Sequence, residues 1–164
     1  MDRTYESQSG GRTMRKIIIV LAILVLASMA FADVGTVTVK RNTASDGMEV
    51  VVFTWIANTT GVVPATGTGT KWPKDRAGCI AKVVTNPGST APTDNYDITL
   101  TDADGVDLMG GELADRDTAN SEVAVPKIDT VFGCNIVTDP FTMTITNQSV
   151  NAGNGKVIVY IILN

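Results

Sequence analysis

MEVVVFTWIA, residues 48–57, is the stretch that decides how the chain folds. Its valines, phenylalanine and tryptophan are stiff or flat side chains that suit a pleated surface better than a helix. The stretch is apolar on both faces, as a strand in the middle of a layered sheet must be. Working outward, GTVTVK at 35–40 alternates apolar with polar and reads as a first or edge strand. Further strands are expected at 78–85, 96–101, 106–109, 122–125, 130–137, 141–146 and 156–163. Between them lie turn formers: Gly61, Pro64, Gly67, Gly69 and Pro73 in one long loop, two prolines and a glycine in 86–93, and NAGNG at 151–155. The polar stretch 110–120 has room for one short helical turn at 113–116. About nine short strands at this spacing predict an all-β fold. The expected architecture is a single antiparallel β-sandwich, immunoglobulin-like with Greek-key connections or jelly-roll-like. No repeat of fixed period is present. The last strand, VIVYIIL at 157–163, is apolar on both faces. At a sheet edge it would need cover from within or from another subunit, which makes self-association through an edge strand the expected contact between copies.

The beginning of the chain sets the compartment. Met14-Arg15-Lys16 precedes ten unbroken apolar residues, Ile17 to Leu26, and then Ala30-Phe31-Ala32. A basic head, an apolar core and a small-x-small ending are the parts of a secretory signal peptide. The expected arrangement is a hydrophobic signal helix within residues 1–32, cleaved after Ala32, and one domain over 33–164. A true start at Met14 would give the signal an ordinary basic head. The alternative is an uncleaved N-terminal anchor, the only route by which this chain would meet a membrane. The apolar run is short for a span of about 20 residues. No Cys follows Ala32, so a lipoprotein anchor has no acceptor. Export implies a periplasmic, extracellular or cell-surface protein.

Cys79 and Cys134 are the only cysteines. An even count in an oxidising compartment favours a disulfide. It would close a loop of about 55 residues, contributing roughly 4 kcal/mol on the chain-entropy model. Two buried free thiols are the alternative. With no histidine, two thiols cannot complete a zinc site.

Charge and composition narrow the function. Setting aside residues 1–32 leaves nine basic and fifteen acidic residues, a formal charge of −6. Such a surface repels phosphates, so no nucleic-acid partner is expected. The lack of histidine removes Ser-His-Asp and Cys-His catalysis. No Gly-rich phosphate loop opens a helix. Carboxylates are plentiful enough to pair as in a glycoside hydrolase, but they fall in turns, and a non-enzymatic protein is the expectation.

The segment from Tyr96 to Met109 carries a more detailed prediction. Tyr96, Ile98 and Leu100 share one strand face. Pairing Leu100 with Leu108 and Asp102 with Val106 joins the apolar faces and leaves Ala103-Asp104-Gly105 as the loop. A three-residue loop wants a left-handed third residue, which Gly105 supplies. The same residues offer a calcium reading through Asp102, Asp104 and Asp107. Calcium is therefore the one cofactor considered. The EF-hand pattern requires Gly sixth and Glu twelfth, and here those places hold Asp107 and Leu113. The predicted register also sends Asp102 and Asp107 to opposite faces. Trp72, in the loop at 59–74, could contact a sugar or a protein, or fold back over the core.

The run from Ala91 to Asp107, APTDNYDITLTDADGVD, resembles a segment recurring in small uncharacterised β-rich proteins encoded among phage and prophage structural genes. The likeness extends loosely from Ile80 to Ser121. It implies a virion- or tail-associated β-domain and carries over no site residues. Three functions follow as expectations. The first is an exported structural or surface-interaction domain with a cell-surface protein partner. The second is a phage-derived virion component with a virion partner. The third is a carbohydrate- or calcium-binding module.

Overall fold

The computed structural model describes residues 33–44, 47–69, 77–138 and 140–163. The expected signal helix and Trp72 lie outside the described residues. Residues 34–164 form one compact unit. It is all-β: among the described residues there is no helix, and every strand pairing is antiparallel.

The strands are β1 (Thr36–Ala44), β2 (Met48–Ile56), β3 (Thr66–Gly67), β4 (Gly78–Pro87), β5 (Asp97–Thr101), β6 (Glu122–Ala124), β7 (Lys127–Ile128), β8 (Val131–Phe132), β9 (Asn135–Val137), β10 (Thr142–Thr146) and β11 (Asn154–Leu163). The large sheet runs β1-β2-β11-β4-β6, with β9 also on β4. A second sheet runs β3-β10-β5, and β7 pairs only with β8. The chain alternates between the two larger sheets, and the large one stays open rather than closing into a barrel.

The side-chain period of two explains how the layers meet. Val51, Phe53 and Trp55 of β2 and Val157, Val159 and Ile161 of β11 point inward and are fully buried. They share one apolar cluster with Ile98 and Leu100 of β5 and Met143 and Ile145 of β10. Two aromatic contacts link β2 to the residues just before β10 and β5: Phe53 to Phe141, with centroids 6.1 Å apart, and Trp55 to Tyr96 at 5.9 Å. In β4 the buried positions are Gly78, Ile80, Val83 and Thr85, and the step from Ile80 to Val83 is three residues rather than two. A register shift opposite Tyr160/Ile161 inserts Ala81 and accounts for the skipped beat.

Four expectations change. Residues 106–109 form no strand beyond a single bridge at Asp107. The last strand, weighed as a possible edge, lies inside the large sheet with β2 on one side and β4 on the other. Its backbone is paired along both edges, and only one of its faces, that of Val157, Val159 and Ile161, is buried. The strand expected at 130–137 is broken into β8 and β9 by Gly133 and Cys134. No helical turn forms at 113–116. Linked turns occupy 108–115, because Gly110, Gly111 and Asp115 all take positive φ, which a right-handed helix cannot include.

Candidate interaction surface

The predicted hairpin register is present. Leu108 N–H donates to Leu100 O at 2.7 Å, and Asp102 N–H to Val106 O at 3.1 Å. Thr101 bridges Asp107 between them. Gly105 has φ +83°, the left-handed third residue of the loop. The second arm does not continue as a ladder, since the chain turns away at Leu108.

This geometry commits the acidic residues to the backbone. Asp102 Oδ1 accepts the N–H groups of Asp104 and Val106 at 3.0 and 2.8 Å. Asp107 accepts Met109 N–H through Oδ1 at 3.1 Å and Gly111 N–H through Oδ2 at 2.7 Å. Asp102 and Asp104 border a hollow of about 120 Å³ that Asp107 does not line. Among the described residues, no three His, Cys, Asp or Glu side chains gather in a way that could hold a metal ion. Neighbouring carboxylates do the same work. Asp97 accepts Asp115 N–H at 2.9 Å, and Asp117 accepts the N–H groups of Ala119 and Asn120. The Ala119 hydrogen bond, followed by the Asn120 side chain and backbone, holds the Asp117 carboxyl below the usual aspartate range. Charge-assisted bonds from orphan N–H groups are what loops without ladders need.

Cys79 in β4 and Cys134, just before β9, lie at disulfide-bonding distance, with Cα atoms 5.5 Å apart. That pairing is compatible with an oxidising environment. It anchors the segment after β8 to the large sheet one residue before Asn135, whose Nδ2 donates to Leu108 O at 2.9 Å.

Two surfaces could receive a ligand or partner. The first is an open groove of about 460 Å³ where the ends of β2, β4 and β11 meet, bordered by Thr54, Asn86, Ser89, Asn154 and Lys156. Its floor includes Gly155. A Cβ there would come within 2.8 Å of Asn86 O and about 3 Å of the Trp55 ring, so the position admits no side chain. The groove holds no cluster of charged or nucleophilic groups.

The second surface is apolar. Among the described residues, twelve large hydrophobic side chains are exposed, and six of them fall within 123–136: Val123, Val125, Ile128, Val131, Phe132 and Ile136. Val131 is 67 % and Phe132 59 % exposed. β7 and β8 form a small hairpin, Lys127 opposite Phe132 and Ile128 opposite Val131, turning at Asp129 with φ 56°. The hairpin is held at its base. Gly133 N–H donates to Pro126 O at 2.9 Å and Lys127 N–H to Met109 O at 3.2 Å. Lys127 Nζ reaches Glu112 Oε1 at 3.2 Å and sits 5.4 Å from the Phe132 ring centroid. The sequence reading missed this hairpin. Its signal was present in KIDTVF, where apolar residues flank Asp129-Thr130, a two-residue turn.

No family model, curated protein or solved structure matches this chain.

Proposed function

We propose that the chain is an exported, non-enzymatic interaction domain: a β-sandwich that presents the β7–β8 hairpin to a protein partner in an oxidising compartment. One observation carries this reading. Exposed apolar side chains concentrate in 123–136, and three of them, Ile128, Val131 and Phe132, stand on a short hairpin whose base is fastened by backbone hydrogen bonds and, one residue beyond, by the Cys79–Cys134 pair. Water-exposed Val131 and Phe132 contribute nothing to the core, and a fastened base lowers the ordering cost of binding. The leader-like segment at 14–32 and the paired cysteines support export. The two sheets sharing one apolar cluster support the sandwich. The carboxylates committed to loop N–H groups favour this reading over a calcium module.

The test is site-specific photo-crosslinking in the producing cell, with the photoreactive residue at Phe132 and, as control, at Thr38. The expected result is a discrete adduct from position 132 only, on a chain whose N-terminus is Asp33. Equal adducts from both positions, or none, would overturn the reading.

A further inference from the structure

The two borders of the large sheet are built differently. On one, β6 and β9 are three residues each and are separated by the β7–β8 hairpin. On the other, β1 pairs with β2 over nine residues, Thr36 opposite Ile56 to Ala44 opposite Met48, with no register shift. Among the described residues no strand lies on the far side of β1.

The parity of the ladder tells which β1 groups face outward. Ala57 N–H donates to Gly153 O, continuing the β2–β11 register, so odd-numbered residues of β2 direct their backbone groups to β11. The even-numbered residues then bond to β1, and their partners are Thr36, Thr38, Lys40 and Asn42. Val37, Val39 and Thr43 alternate with these, so their N–H and C=O groups point away from the sheet. Two of the usual defences of such an edge are missing, while its charges, Lys40 and Arg41, remain. β1 contains no proline and no bulge. Lys40 is on the solvent face, and the Arg41 guanidinium turns back to Glu49 of β2. Val37 and Val39 pack against the core but remain partly exposed.

We propose that β1 pairs antiparallel with β1 of a second copy, with Val39 on a two-fold axis perpendicular to the sheet, joining two large sheets into one. The sequence of β1 is complementary to itself in this register. Val39 meets Val39 of the second copy, Val37 meets Arg41, Thr38 meets Lys40 and Thr36 meets Asn42. No like charges stand opposite each other, and Val37 and Val39 gain cover on the core side. Centring on Arg41 instead would oppose two guanidinium groups. This surface is separate from the β7–β8 hairpin, so the proposal stands apart from the function proposed above.

The experiment is sedimentation equilibrium of the full chain across a concentration series, with amide hydrogen exchange on the same samples. The expected result is a dimer in which the Val37 and Val39 amides exchange roughly tenfold or more slowly than in the monomer. Val39→Pro removes an outward N–H and part of the Val39 packing, so the chain is expected to fold with a lowered melting temperature and to sediment as a monomer. A wild-type chain that stays monomeric throughout would overturn the proposal. So would a dimer whose Val37 and Val39 amides exchange as fast as in the monomer, which would place the contact on another surface. Slow exchange at these amides in a monomer would mean that another part of the same chain covers β1, and would also overturn it. If Val39→Pro does not fold, the wild-type exchange pattern decides alone.

Discussion

The four long strands β1, β2, β4 and β11 and the segment from Asp102 to Val137 satisfy their backbones by opposite means. In the first region N–H and C=O groups bond to one another along registers of nine pairs, and the side chains are left to pack. In the second, strands of two or three residues alternate with turns, and carboxylates take the N–H groups that no neighbouring strand reaches. The first is written in Val, Ile, Phe and Trp. The second is written in Asp, Gly and Asn, with its apolar residues divided between core and solvent. Leu108, Met109 and Leu113 are buried, while Val123, Ile128, Val131, Phe132 and Ile136 are exposed. Two consequences follow. Damage to the ladder removes the core and unfolds the whole unit, whereas damage to the second region is felt locally. The region that contributes least to the core is also the one free to present side chains outward.

The largest effect is expected in the ladder. Phe53 is fully buried, inward on β2, and tilted against Phe141 just before β10. Phe53→Ala removes that bridge and leaves a cavity between the sheets, and should cost about 3–5 kcal/mol in chemical denaturation. The counterpart in the second region is Phe132→Ala, expected to change stability by less than about 0.5 kcal/mol, because its side chain is mostly in water already. Equal losses in the two variants would erase the distinction between the regions.

Breaking the cysteine pair should have an intermediate and uneven effect. The bridge spans 55 residues, and the chain-entropy model assigns it roughly 4 kcal/mol against the fully unfolded chain. The joint change Cys79→Ser and Cys134→Ser should therefore lower global stability, and in native-state hydrogen exchange it should open β9 and the β7–β8 hairpin first. Protection of the β2 and β11 amides should fall only with the global loss. Uniform loss of protection would mean that the two regions behave as one cooperative unit.

How far the sequence foretold this arrangement follows from the same division. MEVVVFTWIA and VIVYIIL are strands inside the large sheet, each with one buried face and one face that keeps Met48, Ile56 or Ile162 exposed. Their strand character was legible from composition, but their position was not, since sheet order depends on pairings distant in sequence. The Leu100–Leu108 register could be read because only one alignment joins these two leucines and puts Gly105 at the left-handed position, although Val106 stays exposed. The break at Gly133-Cys134 could not be read from Thr130 to Val137, a run with the β-propensity of one strand. Nor could the turns at 108–115, whose positive φ at Asp115 is imposed by its N–H donating to Asp97 of β5. Among candidate site residues, the Asp102 and Asp107 turn roles were partly foreseen, and the exposed hairpin at 127–132 was not. An apolar residue in a short strand looks the same in sequence whether it faces core or solvent.

The smallest effect at neutral pH, and the most diagnostic, is expected where the two regions touch. Tyr96 immediately precedes β5, bridges Arg116 of the loop-rich segment, and packs its ring on Trp55 of the ladder. It is fully buried, and its hydroxyl finds no hydrogen-bond partner among the described residues. Burial, reinforced by the Glu122 carboxylate, pushes its pKa up from 10 to about 12. The native state therefore holds the neutral phenol more firmly than the unfolded chain does. Below pH 10 both states are protonated and stability does not depend on this group. As pH rises from 10 towards 12, the unfolded chain ionises first and stability falls. Tyr96→Phe keeps the ring contact and removes both the unpartnered hydroxyl and the titration. Its melting temperature should match or slightly exceed wild type at pH 7, and the part of the alkaline decline owed to Tyr96 should vanish. A substantial loss at pH 7 would show that the hydroxyl is bonded in solution, and that the seam between ladder and loops is a polar contact as well as an aromatic one.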